Sequence, residues 1–216
     1  MEKQTTLIQR LTILMYLAIA GLICSFVVYV PFIKSFADGL ELLCNIGSII
    51  CVFLLMFAGK RYRKAAIFGS VQLVCTIGLS MIPWILAFVI SQDLLSTDNV
   101  NQFYTVAGVI NLICGLVGIV YVYQLYHAHA EQVQELDGKL SKKWKRLFWW
   151  SILASVFSSF FSYIFAAFYV GMGGNMPPIY NLFSFMTYLP GKIIAVVGIL
   201  YLNRTVKTLK TSVEVI

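Results

Sequence analysis

Six apolar runs, each long enough to cross a bilayer, constrain this chain more than any other feature. A helix rises 1.5 Å per residue, so ~20 apolar residues cover a hydrocarbon core of ~30 Å, and a helix satisfies its own backbone there. The runs cover about 11–33, 39–59, 65–90, 103–126, 147–170 and 179–203. The gaps are short apart from the polar stretch 127–146, so the reading is an all-α polytopic membrane protein with one six-helix bundle and no second domain.

Composition agrees: 60% of the 216 residues are hydrophobic and 12% charged, where soluble domains hold roughly half and a quarter. The net charge of +7 suggests nucleic acid only when a soluble face carries it. No soluble domain is in evidence, so the charge is read as a topology signal and no nucleic-acid partner is expected. With the N-terminus inside, segments 1–10, 60–64, 127–146 and 203–216 hold 14 of the 16 Lys and Arg, leaving Lys34 and Lys192. By the positive-inside rule both termini are expected to be cytoplasmic, and the expected location is the plasma (inner) membrane.

Lys3 and Arg10 before an apolar stretch resemble the start of a signal peptide, but the run continues through Gly21 to Ile33 and reads as an uncleaved first span. The five cysteines all lie in apolar runs and read as reduced packing residues. Trp144, Trp149, Trp150, Tyr62, Tyr121, Tyr123, Tyr126 and Tyr201 fall near the inner boundary, with Tyr29, Trp84 and Phe168 near the outer one, where aromatic rings anchor spans.

In 127–146, Val133, Leu140 and Trp144 recur with Leu136 at helical spacing, predicting an amphipathic helix on the inner surface, interrupted near Asp137-Gly138. Its KKWKR sequence would meet anionic lipid headgroups. His127 and His129 are two apart and point to different sides of a helix, so neither a metal nor another cofactor is expected. Similar stretches in spans 1 and 3 and in spans 4 and 6 fit repeated hairpins and equally fit chance in so apolar a chain.

The sharpest local feature is Pro190-Gly191-Lys192 within the last run. An ammonium in hydrocarbon needs a partner or water, and Pro190 lacks a backbone donor, predicting a helix kink. Counting helical rise from the inner basic anchors puts Lys192 at ~17 Å, Ser158 at ~18 Å, Asn45 and Asn111 at ~22 Å and Glu41 at ~28 Å. Lys192, Glu41, Asp38, Asn45, Asn111 and Ser158 are thus the candidate lining of an outward-facing polar cavity. The competing reading is that Lys192 snorkels to the outer headgroups because its span starts near Tyr188. Serines 151, 155, 158, 159 and 162, with Gly108, Asn111, Gly115 and Gly118, mark helix-contact faces or, alternatively, a wet path.

Catalytic chemistry needs a nucleophile with a base, paired carboxylates or a phosphate-binding glycine loop. The spans offer none of these, so the chain is not expected to be an enzyme. Two functions remain: an interaction protein acting on a membrane partner as subunit, accessory or immunity-type factor, and a small transporter or channel built around Lys192.

Overall fold

The computed structural model describes residues 2–29, 31–91, 97–171 and 180–214. Six long helices form: α1 (Glu2–Val27), α2 (Lys34–Ala58), α3 (Arg63–Ser91), α4 (Thr97–Val133), α5 (Gly138–Gly171) and α6 (Tyr180–Glu214). Single 3-10 turns at Pro31–Ile33 and Lys60–Tyr62 lead into α2 and α3. Among the described residues, five helices are long and apolar enough to cross a membrane; α3 adds a sixth helix of 29 residues. The chain is therefore an all-helical, membrane-type bundle.

Each helix packs on its neighbours in sequence, and α6 closes back on α1, so the six form a ring in chain order. This arrangement follows from short connections, which leave consecutive helices antiparallel and adjacent. The buried side chains are unevenly distributed along it. Leu7 and Leu11 of α1, Leu55 of α2, Tyr62 before α3, Val133 of α4, Leu140 and Trp144 of α5, and Val206 and Leu209 of α6 share one apolar cluster. All six helices meet there, at the end holding most of the basic residues, and the cluster plugs the ring.

The plug corrects three sequence expectations. Stretch 127–146 is helical and interrupted just before Gly138, as expected, but does not lie on a surface: α4 runs on to Val133, the chain turns, and α5 starts at Gly138, with Val133, Leu140 and Trp144 buried and Leu136 exposed. Trp144 and Tyr62 are core residues rather than interfacial anchors. The Trp144 indole donates to Thr205 Oγ1 at 3.1 Å and stacks on His129 with ring centroids 4.6 Å apart, while Tyr62 Oη lies 2.9 Å from His129 Nδ1. Burial pushes the Tyr62 phenol above its usual range. Trp149, Trp150 and Tyr123 are exposed, as interfacial anchors would be. The side chains of Trp84 and Phe168, and the loop 172–179, lie outside the described residues.

Asp137 is the turn's organising residue. Its backbone N–H donates to Val133 O at 2.7 Å, ending α4. Its carboxylate then accepts the Leu140 N–H at 2.9 Å, capping α5, and pairs with Arg204 of α6 at 2.8 Å. The Leu140 N–H and the Arg204 guanidinium together hold the carboxyl below its usual range. Because that pKa is depressed, the stabilisation is present above the normal carboxylate range and is lost as pH falls through it. Asp137→Ala should lower stability by about 1 kcal/mol at neutral pH. Thermal unfolding in detergent at pH 7 and in strong acid checks this, since the wild-type advantage should vanish in acid.

Candidate functional site

Two cavities lie along the ring above the plug. The first, of about 510 Å³, sits between α1, α2 and α6 and is lined by Ser25, Tyr29, Glu41, Asn45, Tyr188 and Lys192 among others. The second, of about 750 Å³, is bounded by α2 through α6 and is lined by Asn45, Gln72, Gly118, Ser151, Ser155 and Ser158 among others. Asn45, Ser48, Tyr188 and Gly191 border both, so the two are adjoining chambers whose walls draw on all six helices.

Lys192 faces into the first chamber. Its Nζ donates to the backbone carbonyl and to Oγ of Ser25, the latter at 2.8 Å, and lies 4.6 Å from the centroid of Phe26 and 5.4 Å from that of Tyr29. The electron-rich ring faces and the serine oxygens replace part of the ammonium's hydration shell, which makes the position tenable. Glu41 lines the same chamber. The ion pairs among the described residues are Arg61–Glu135, His127–Glu131 and Arg204–Asp137, so neither Lys192 nor Glu41 is neutralised by direct pairing.

Pro190 lies inside α6, which is continuous from Tyr180 to Glu214, so no break forms there. Its missing N–H leaves the Met186 carbonyl without a helical donor. One residue further on, the carbonyl of the buried Thr187 accepts the Ser158 hydroxyl from α5 at 2.8 Å. The Ser158 hydroxyl thus ties α5 to α6 one residue from the carbonyl that Pro190 frees.

Of the six candidate lining residues, Lys192, Glu41 and Asn45 meet in the first chamber, and Ser158 joins Asn45 in the second. Asp38 and Asn111 are exposed and border neither chamber. Residue counting gives height along a helix but not direction around its axis, and Asn111 lies on an exposed face of α4 away from both chambers. The serine face of α5 and Gly115 and Gly118 of α4 line the second chamber. Gly108 has open space around it instead of a helix contact.

Sequence reasoning missed Gln72, whose Oε1 is buried without a hydrogen-bond partner in the second chamber. A polar carboxamide in an otherwise apolar helix was the available signal. Among the described residues, no group of three or more His, Cys, Asp or Glu is placed to hold a metal ion. The five cysteines are free. Comparison with models of known protein families, with curated proteins and with solved structures finds no match.

Proposed function

We propose that this chain is a non-catalytic plasma-membrane protein, with both termini cytoplasmic, that binds a small polar solute in the Lys192 chamber and passes it across the membrane. One observation carries this reading: the Lys192 ammonium, held by Ser25 and two aromatic rings, is turned into a chamber of the ring that it shares with the Glu41 carboxylate, and among the described residues neither charge makes a direct ion pair. Buried charge in a membrane is costly and is kept where a substrate or ion meets it. A cavity of 510 Å³ is within the ~300–1,000 Å³ range of small-molecule sites. The packed plug at the basic end would close one side, as in one state of an alternating-access cycle.

A second reading keeps the chain as an interaction protein, a subunit or protective factor whose partner is another membrane protein. It is favoured by the scarcity of charge: Glu41 and Lys192 are the sole acidic and basic residues within the six apolar runs, fewer than ion-coupled transport usually uses. Its basic segments would in either case lie against anionic headgroups. Reconstitution into liposomes separates the two. Solute flux above that of protein-free vesicles is the expected result; stoichiometric copurification with a partner from mild detergent, without flux, would transfer the assignment to the second reading.

A further inference from the structure

The KKWKR block at 142–146, expected to meet headgroups as a unit, divides in the folded chain. Trp144 is buried in the plug, and Lys143 Nζ lies 5.9 Å from the ring centroid of Tyr201 on α6. Lys142, Lys145 and Arg146 are exposed and, with Trp149, fall at helical spacings of three, four and seven, so they share one outward stripe of α5. From this division we propose that the cleft between the basic ends of α4 and α5 is a binding site for one anionic phospholipid, its phosphate at Lys145 and an acyl chain along α5.

The cleft has a volume of about 230 Å³ and is lined by Tyr123, Tyr126 and His127 of α4 and by Lys145, Phe148 and Trp149 of α5. The Tyr123 ring stacks on His127 with centroids 5.7 Å apart and meets Phe148 edge-on at 5.1 Å, which builds an aromatic wall. The lining also marks depth. Tyr123 and Tyr126 end the fourth apolar run, Phe148 and Trp149 begin the fifth, and His127 and Lys145 stand in the polar connector. The cleft therefore straddles the level at which hydrocarbon gives way to headgroups, where a lipid phosphate lies.

Charge selects the headgroup. Among the described residues, no ion pair engages Lys142, Lys145 or Arg146. Glu131, one turn beyond His127, is drawn to His127 Nε2 at 3.0 Å. Three cations against one carboxylate favour a net anionic headgroup over a zwitterionic one, whose own ammonium the stripe would repel. The cleft is too small for a whole lipid and suits the phosphate and glycerol, with the chains outside. Trp149, Leu153, Val156 and Phe160 are all exposed and continue the stripe at helical spacing, over ~16 Å, about the depth of one leaflet of a ~30 Å core. This face of α5 is cationic at one end and apolar along its length, in the order of an anionic phospholipid. Of the cleft's lining only Tyr126 also borders a chamber, so the site holds whether the chain passes a solute or acts on a membrane partner.

The test measures lipid binding to the full chain in detergent by native mass spectrometry, titrating phosphatidylglycerol or phosphatidylcholine with identical acyl chains. The first phosphatidylglycerol should bind at least about fivefold tighter than the first phosphatidylcholine, the worth of one basic residue at an anionic surface. Lys145→Gln should remove about that factor for phosphatidylglycerol and leave phosphatidylcholine unchanged. Trp149→Ala should weaken both lipids alike, because it takes away apolar contact and no charge. Lys207→Gln removes an exposed lysine of α6 outside the cleft and should change neither. All three side chains are exposed, so the variants should melt within a few degrees of wild type in lipid-free detergent and the binding changes stay readable. Equal affinity for the two lipids, or an effect of Lys207→Gln as large as that of Lys145→Gln, would leave only diffuse surface charge and overturn the proposal. Wild-type binding in Trp149→Ala would remove the cleft as its location. Displacement of the lipid by glycerol 3-phosphate at equal concentration would make the ligand a soluble phosphate and overturn it as well.

Discussion

Trp144→Ala lowers the stability of the folded bundle by about 3–5 kcal/mol, the usual cost of deleting a buried tryptophan. The indole is 2% exposed and joins three helices: its ring stacks on His129 of α4, meets Tyr126 and Tyr201 at centroid distances of 5.4 and 5.7 Å, and its N–H satisfies Thr205 of α6. Truncation leaves a cavity and a buried hydroxyl without its donor, and those penalties add. Thermal unfolding in detergent reads the effect. Trp149→Ala is the control, because that side chain is 70% exposed and surface changes fall within about 0.5 kcal/mol. Similar losses for both variants would mean that the basic end is not a packed plug.

The second large effect falls on binding. Lys192→Met keeps a long apolar stem while removing the ammonium, so the bundle should retain its melting temperature to within a few degrees. Solute binding or flux should fall roughly 10- to 100-fold, the equivalent of about 1.5–3 kcal/mol for a hydrogen bond to a charged group. Lys192→Arg places a larger, planar cation between Phe26 and Ser25 and should restore only part of it. Unchanged flux in Lys192→Met would reduce the lysine to a packing and anchoring residue.

Much of the architecture was legible because hydrocarbon leaves the backbone few choices: an apolar run of sufficient length must be a helix, and Lys and Arg gather at the ends. The break near Asp137-Gly138 was legible too, but not that the helix ends on either side of it are buried. Val133 and Gly138 lie well beyond the apolar runs, and the two helices continue there because Val133, Leu140 and Trp144 find a core to enter. Nothing local distinguishes a tryptophan that anchors at an interface from one that fills a plug; only Thr205 and His129, distant in sequence, decide it. The same limit applies in the chambers. Lys192 and Glu41 were visible as unusual charges, but Asp38 and Asn111 are exposed and off the walls of both chambers, and the Gln72 oxygen, buried without a partner against Gly118, is seen only once α3 and α4 pack together.

The lysine's surroundings can be measured directly. In a chain whose five native cysteines are replaced by alanine, a Lys192→Cys variant is reconstituted and exposed to a small, charged, membrane-impermeant thiol reagent. A cysteine lining a wet chamber is modified, and the prior presence of solute slows that reaction. Modification only by a lipid-soluble reagent, at a rate indifferent to solute, would place position 192 against lipid and contradict the assignment of the ring's interior as a binding site.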